Sequence, residues 1–184
     1  MSDERPPIIG VDDFDVETTV VRRKKRMSDA ERLLARLAEL KWTVATAESL
    51  TGGLVVASLV AVPGASAHVR GGIVAYATDV KQSLLGVDAT QLALHGAVES
   101  KVARQMAEKV RDALAEGGTR VDVGIATTGI AGPQSPDGQP VGTVHIAVST
   151  PLGTRVESLV LEGDREAIRA ETVRRSLKLA LSAL

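Results

Sequence analysis

From Ser28 onward, the hydrophobic and polar positions follow two periods that predict a regular succession of helices and strands. A stripe of leucines at helical spacing follows Ser28, which forms a capping-box pair with Glu31. Three short runs, "WTVATAES", "VRGGIVAYAT" and "VDVGIATTG", predict strands. The third run is nearly continuous in apolar residues, so we expect it in the middle of the sheet. The segments "TVHIAVST" and "TRVESLVL" predict a hairpin.

Helical patterns fill the intervals between these strands. The stretch "GGLVVASLVAV" predicts a buried helix, and the pair Asp79 and Gln82 predicts a capped helix that begins at Val80. A long helix is expected from about Ser100, its expected cap, to Glu116, with two glycines ending it. Asp164 is expected to cap the last helix. Strands that alternate with helices and then close with a hairpin predict an α/β sandwich around a mixed sheet.

Residues 1–27 differ in character from the rest. An acidic segment is followed by the basic run "RRKKR", Arg22 to Arg26. Charge blocks of this kind are typical of solvated tails, and we expect a flexible extension, with a partner- or nucleic-acid-binding arm as the alternative. Residues 28–184 are expected to form one domain.

Composition narrows the functional classes. The 184 residues carry a formal net charge of −1, which gives no general attraction to nucleic acid or anionic membranes. No cysteine is present, which excludes thiolate metal sites and suits a cytoplasmic protein. The three histidines lack metal-ligand spacing, so we expect no metal. No apolar run approaches the ~20 residues of a membrane span.

The stretch "TAESLTGG", residues 46 to 53, places Glu48, Ser49 and Thr51 at a strand-to-helix turn. Such turns lie at the carboxyl end of a sheet, where α/β folds bind ligands, and the helix start offers unpaired N–H groups. Ser49 is either an ordinary helix cap or a nucleophile beside an anion site. Gly52 and Gly53 favour the second reading, because a cap needs no glycine pair and missing Cβ atoms let a ligand approach the backbone.

Lys81 and Tyr76 are the next candidates. Lys81 falls in the first turn of the helix that follows Asp79, where the helix dipole disfavours its charge; if the site is also partly buried, desolvation lowers its pKa further. A lysine in that position can act as a general base, although a solvated surface lysine is the alternative. Tyr76 is the only tyrosine, and a half-buried residue with its hydroxyl at the rim is the simplest expectation.

Two further segments could contribute to the same pocket. "TTGIAGP", residues 127 to 133, is a glycine-containing loop with hydroxyl side chains after the central strand. "GDREAIR" places Arg165 and Arg169 four residues apart at the start of the last helix. These arginines are either a phosphate clamp or surface charges that pair with Glu162 or Glu166.

Taken together, these motifs resemble the CinA C-terminal domain family, also known as the nicotinamide-nucleotide amidohydrolase (PncC) family. The resemblance rests on seven collinear motifs between Thr46 and Arg169: "TAESLTGG", "PGAS", "GGIVAYATDVK", "HGAV", "TGIAGP", "PVGTVHIAV" and "GDREAIR". It implies a three-layer α/β/α sandwich with a mixed, mostly parallel five-stranded sheet. It also implies a homo-oligomer, most simply a dimer, and no cofactor.

The activity that the resemblance implies is hydrolysis of the carboxamide of nicotinamide mononucleotide to nicotinic acid mononucleotide and ammonia. The family's nucleophile falls on Ser49, its lysine base on Lys81, the tyrosine of the site on Tyr76 and the arginine of the "GDR" motif on Arg165. We further expect the substrate to be held by residues of the two loops: Glu48, Thr51, Gly52, Gly53, Thr128, Gly129 and Gly132.

The chain departs from the family pattern at two informative places. Leu50 replaces a common cysteine, which we read as a packing change, and Gln139 stands where lysine is usual, which bears on phosphate affinity. The nucleotide-processing domain of full-length CinA proteins is absent from this sequence, so its pyrophosphatase activity is not expected. The alternative function is a nucleotide-binding or regulatory module without useful turnover, linked to competence or DNA damage.

Overall fold

The computed structural model describes residues 27–135 and 138–184. The helices are α1 Asp29–Leu40, α2 Leu54–Val60, α3 Thr78–Leu85, α4 Ala89–His95, α5 Ser100–Ala113 and α6 Arg165–Ala183. The strands are β1 Val44–Glu48, β2 Val69–Val74, β3 Val123–Gly129, β4 Thr143–Thr150 and β5 Gly153–Val160. The extension expected at residues 1–27 lies outside the described residues, except for Met27.

The five strands form one mixed sheet in the order β2-β1-β3-β4-β5. The pairs β2–β1 and β1–β3 are parallel, and β3–β4 and β4–β5 are antiparallel. Strand β3 therefore lies at the centre and only β4 runs against the other four, which confirms the mixed, mostly parallel sheet. The hairpin between β4 and β5 is also confirmed, since Thr150 pairs with Gly153.

Helices cover both faces of the sheet, which confirms the three-layer sandwich. The face toward α1, α2 and α6 receives the large branched residues of the strands, among them Val44, Ile125 and Ile146. The opposite face, under α3, α4 and α5, receives alanines such as Ala45 and Ala126. The small residues let α5 approach closely: a Cβ on Gly124 would lie 2.0 Å from the carbonyl oxygen of Ala107. Successive side chains of a strand point to opposite faces of the sheet. The large residues therefore pack in one core and the small residues in the other.

The predicted helix ends are correct at two places. Ser28 and Glu31 form the capping box of α1, and the Asp164 carboxylate accepts a hydrogen bond from the Ala167 N–H at the start of α6. Both are favoured because they satisfy N–H groups that a helix start leaves without partners.

Other helix boundaries were predicted wrongly. Helix α3 begins at Thr78, so Asp79 lies inside the first turn and does not cap it. Helix α5 ends at Ala113, before the two glycines, and Glu99 rather than Ser100 precedes its first residue. Helix α4 was not predicted at all. Hydrophobic periodicity locates a helix better than it locates the helix ends, which depend on caps and tertiary packing, and the seven residues of α4 are too few to show a clear period.

The apolar sequence of α2 suggested a fully buried helix, but α2 is buried on one side only. Val55 and Leu59 face the core, whereas Leu54 and Val60 retain 39% and 57% of their accessible surface. Its neighbour β2 is an edge strand of the sheet and also exposes an apolar residue, Val74. Helix α2 and strand β2 therefore leave an apolar surface uncovered in the single chain.

Candidate active site

A serine and a buried lysine meet at the carboxyl end of the parallel strands. Ser49 directly follows β1, and Lys81 lies in the first turn of α3. The Lys81 Nζ lies 3.2 Å from the Ser49 Oγ, within hydrogen-bond distance. Lys81 retains 1% of its accessible surface and Ser49 8%. The structure therefore brings together the two residues that the sequence proposed as base and nucleophile.

Two backbone carbonyls orient the Lys81 amine. Nζ donates to the carbonyl oxygen of Ala75 at 2.8 Å and to that of Tyr76 at 3.2 Å. Both carbonyls lie in the short connection between β2 and α3. A neutral amine has two hydrogens and one lone pair, so two carbonyl acceptors leave the lone pair for the serine hydroxyl. The geometry fits a neutral lysine that accepts the Ser49 proton.

Burial makes the neutral form accessible near neutral pH. Desolvation lowers the pKa of Lys81 from 10.5 to about 8. The polar partners within hydrogen-bond distance are uncharged, so no carboxylate there restores the charged form. About a tenth of the molecules would carry the free amine at pH 7, given that pKa. The solvated-surface alternative for Lys81 is therefore wrong.

The pair lies at the bottom of a cavity of about 370 Å³. This volume falls in the range of small-molecule sites, roughly 300–1,000 Å³. One wall is formed by the connection between β2 and α3, and the opposite wall by the end of β3 and the loop that follows it, residues 128–134. Ala97 and Val98, between α4 and α5, complete the cavity, and Arg165 lies at its edge.

Tyr76 and Arg165 form the mouth. The Tyr76 side chain is 60% exposed, more than its expected half-buried state. Arg165 donates from one nitrogen to the Tyr76 hydroxyl at 3.2 Å and from another to the Gly132 carbonyl at 2.8 Å. No ion pair of Arg165 with Glu162 or Glu166 occurs, so its charge is not neutralised by either carboxylate. Tyr76 approaches Lys81 through its backbone carbonyl and not through its ring.

The end of β3 and the loop that follows it supply cavity walls and backbone donors. Thr128 donates its hydroxyl to the Ala97 carbonyl at 2.8 Å, and a side chain on Gly129 would collide with Thr143 at 2.7 Å. Thr128, Gly129 and Gly132 all line the cavity, as expected. Within the described residues, the N–H groups of Leu50, Ala131 and Gly132 have no hydrogen-bond partner. All three residues line the cavity, which makes their N–H groups candidate donors to a bound oxygen.

Glu48 does not line the cavity, so its placement corrects the expectation of direct substrate contact. Its carboxylate, 1% exposed, accepts hydrogen bonds from the N–H groups of Gly53, Val55 and Val56 at 2.8 to 3.0 Å. The start of α2 is thereby occupied by a residue of the chain itself. An anion site at that helix start, which the sequence suggested, is not open to a ligand.

Thr51, Gly52 and Gly53 also lie behind the turn rather than in the cavity. The Thr51 hydroxyl is buried against that of Thr127 at 2.7 Å. Gly52 and Gly53 have φ angles of 60° and 95°, which a residue with a side chain adopts only with strain. The glycine pair is needed for the tight turn that carries Ser49, and it makes no approach to the cavity.

Sequence reasoning missed the groups that contribute through their backbone or from a distance. The carbonyls of Ala75 and Tyr76 carry no sequence signal. Gln139 donates to the Val98 carbonyl at 3.0 Å and so fixes a cavity wall. Arg169 donates to the carbonyls of Leu50 and Thr51 at 2.9 and 3.1 Å; its "GDREAIR" motif indicated the residue but not these contacts.

No group of three or more histidine, aspartate or glutamate side chains converges anywhere in residues 27–135 and 138–184. Over the same ranges, each helix is too short or too polar to cross a bilayer.

The fold and the cavity define an α/β/α sandwich with a serine–lysine pair at the carboxyl end of its parallel strands. A family model described as the CinA C-terminal domain matches residues 26–184. The chain therefore belongs to the CinA C-terminal domain family, and the resemblance seen in the motifs is confirmed.

Individual relatives agree with this assignment. A CinA-like protein of Frankia casuarinae is 51% identical over 147 residues, which are 80% of this chain and 33% of that protein. A CinA superfamily protein from Escherichia coli superimposes with a TM-score of 0.79 at 32% identity, covering 85% of this chain and 88% of that one. The competence/damage inducible protein CihA from Agrobacterium tumefaciens gives 0.77 at 35% identity, covering 84% and 92%. The chain spans about a third of the length of the curated relatives it matches.

Proposed function

We propose that this protein hydrolyses the carboxamide of nicotinamide mononucleotide to nicotinic acid mononucleotide and ammonia, in cytoplasmic pyridine nucleotide salvage. The observation that carries the proposal is the Lys81 Nζ, buried, uncompensated by a carboxylate and 3.2 Å from the Ser49 Oγ. Burying a lysine without a carboxylate partner costs stability, and a pocket that only binds a ligand has no need of such a pair. An amide is a poor electrophile, and its hydrolysis requires an activated nucleophile.

The chemical steps follow from the geometry. The neutral Lys81 takes the hydroxyl proton as the Ser49 Oγ bonds to the carboxamide carbon, and the carbonyl electron pair moves onto oxygen. When that pair returns, the C–N bond breaks, and Lys81 gives its proton to the departing ammonia. A water molecule then attacks the acyl carbon and loses a proton to Lys81, and the proton returns to Ser49 as the acid leaves. The net change consumes water and substrate and yields the acid and ammonia.

The developing oxyanion needs donors opposite the lysine. The N–H of Leu50, next to the nucleophile, and those of Ala131 and Gly132 lack partners in the described chain and line the cavity. Two or three such donors placed before reaction stabilise a tetrahedral oxyanion without reorganisation. This assigns the oxyanion role to Leu50 and the loop after β3, and not to the start of α2, where Glu48 holds the N–H groups.

Arg165 supports the choice of a phosphorylated substrate. Its guanidinium lies at the mouth, and its hydrogen bonds to residues that the structure describes go to neutral oxygens, those of Tyr76 and Gly132. Guanidinium matches phosphate geometry, so a 5′-phosphate could replace the tyrosine contact. A substrate with its carboxamide at Ser49 and its phosphate at Arg165 would span the cavity from bottom to mouth.

We also propose that the protein forms a homodimer. Leu54, Val60 and Val74 are exposed on α2 and the neighbouring edge strand β2, and this surface suits burial against a second copy. Sedimentation or light scattering measures the oligomeric state directly, and a monomer at micromolar concentration would contradict the proposal.

The second candidate is a nucleotide-binding module without useful turnover. It is favoured by the names of structural relatives, such as the competence/damage inducible protein of A. tumefaciens, which describe induction rather than catalysis. Such a module would bind nicotinamide mononucleotide without consuming it, so the two candidates are separated by turnover.

The test is ammonia and nicotinic acid mononucleotide formation from nicotinamide mononucleotide, with EDTA present. Ser49→Ala should lose nearly all turnover, by a factor of 10³ or more, since the nucleophile and its base act as a unit. The matched control is Ser66→Ala, an exposed serine outside the cavity, which should retain wild-type turnover. Binding without turnover by the wild type would favour the second candidate, and loss of turnover with EDTA would reintroduce a metal.

A further inference from the structure

The turn that carries Ser49 is held on its amide side by Glu48. This carboxylate accepts from the N–H groups of Gly53, Val55 and Val56, and from the Thr46 hydroxyl at 3.1 Å. A buried carboxylate with four donors at the positive end of a helix is strongly stabilised. The residue just before the nucleophile thus fixes the start of α2 relative to β1.

The carbonyl side of the same turn is held by Arg169 from α6. Its Nε donates to the Leu50 carbonyl at 2.9 Å and its Nη2 to the Thr51 carbonyl at 3.1 Å. Within the described chain Arg169 has no carboxylate partner, so the guanidinium is committed to these two oxygens. Arg169 does not line the cavity, unlike Arg165 one turn earlier.

We infer that Arg169, together with Glu48, is a positioning residue that holds Ser49 at hydrogen-bond distance from Lys81. The phosphate-clamp reading of the arginine pair then applies to Arg165 alone. Leu50 and Thr51 are the two residues after the nucleophile, and holding their carbonyls from α6 restrains the backbone that follows Ser49. A shift of about 1 Å at such a site can cost a factor of about 100 in rate.

The inference rests on the proposed function for its reaction, but the reactivity of Ser49 can be measured without the natural substrate. The first readout is the rate at which a fluorophosphonate probe phosphonylates Ser49, followed by intact mass. The second readout is steady-state kinetics on nicotinamide mononucleotide, which gives kcat and KM individually. Ser49→Ala defines zero labelling, and Arg174→Leu, an exposed arginine on the same helix paired with Glu171, is the matched control.

Arg169→Leu should slow labelling at least tenfold and lower kcat by a similar factor, with KM within about threefold of wild type. Arg169→Lys, whose ammonium can still donate to one or both carbonyls, should recover part of the loss. Arg165→Leu should show the opposite pattern on nicotinamide mononucleotide, with KM raised and kcat little changed. Arg174→Leu should match wild type in both measurements.

A folded Arg169→Leu that is labelled at the wild-type rate would overturn the inference. So would an Arg169→Leu with raised KM and unchanged kcat, which would make Arg169 a substrate ligand. If Arg169→Leu does not fold, Glu48→Gln tests the same positioning role. It exchanges one acceptor oxygen for an amide and should slow labelling of Ser49 about tenfold. A wild-type protein that labels at Ser49 but leaves nicotinamide mononucleotide intact would remove the proposed substrate and leave the positioning role standing.

Discussion

The low pKa of Lys81 makes stability depend on pH in a defined direction. The native state loses the Lys81 proton near pH 8 and the unfolded chain near pH 10.5. Between these values the unfolded state binds more protons, so stability rises as pH rises. Below pH 8 the cost of burying the charge is fully present, and the full shift corresponds to about 3.4 kcal/mol.

The perturbation that isolates this effect is Lys81→Met, which keeps an unbranched side chain and removes the titrating group. Lys101, an exposed lysine of α5, provides the control variant Lys101→Met. From the pKa of about 8, the stability of wild type relative to Lys81→Met should rise by about 2 kcal/mol between pH 7 and pH 9.5. Lys101→Met should track wild type across the same interval.

Urea unfolding at several pH values measures these differences through the midpoint and slope. The absolute stability of Lys81→Met also includes the loss of hydrogen bonds to Ala75 and Tyr76, but that term is constant with pH. A wild-type minus Lys81→Met difference that stays flat from pH 7 to pH 9.5 would show that Lys81 keeps its proton throughout, and the general-base role would then be untenable.

Three shorter predictions concern Lys81, Tyr76 and Gly124. The kcat/KM for nicotinamide mononucleotide should rise with pH up to about 8 and then level, because only the neutral Lys81 of the free enzyme accepts the serine proton; a profile flat from pH 6 to 9 would argue against it. In steady-state kinetics, Tyr76→Phe should lower kcat less than threefold and raise KM, because Tyr76 contacts Lys81 through its carbonyl and Arg165 through its hydroxyl. A large loss of kcat would mean that the Tyr76 side chain is catalytic. Gly124→Ala should destabilise the fold by about 1–3 kcal/mol or more in thermal unfolding, because its Cβ would lie 2.0 Å from the Ala107 carbonyl; an unchanged melting temperature would contradict the close approach of α5.

The sequence predicted the sheet well because its strands alternate large and small apolar residues with period two. It also indicated Ser49 and Lys81, since a serine at a strand-to-helix turn and a lysine at a helix start are recognisable positions. Their contact across 32 positions depends on the parallel pairing of β1 with β2, which aligns the ends of the two strands.

The roles of Glu48 and Arg169 could not be read in the same way. In the sequence, a carboxylate next to a nucleophile suggests a residue that binds the substrate. Whether the Glu48 side chain turns toward the cavity or toward α2 depends on the backbone of Gly52 and Gly53. Arg169 reaches the turn only because α6 packs on the same face of the sheet as α2. Propensities describe neighbours in sequence, whereas the Arg169 contacts join segments more than 100 residues apart.

The claim that Ser49 is the nucleophile can be tested most directly by acid quenching of the protein during turnover of nicotinamide mononucleotide, followed by mass analysis of the peptide that contains Ser49. We expect this peptide to gain the acyl mass of the substrate less ammonia, and we expect Ser49→Ala neither to gain that mass nor to release ammonia. Turnover by Ser49→Ala at the wild-type rate, or the acyl mass on a different residue, would contradict it.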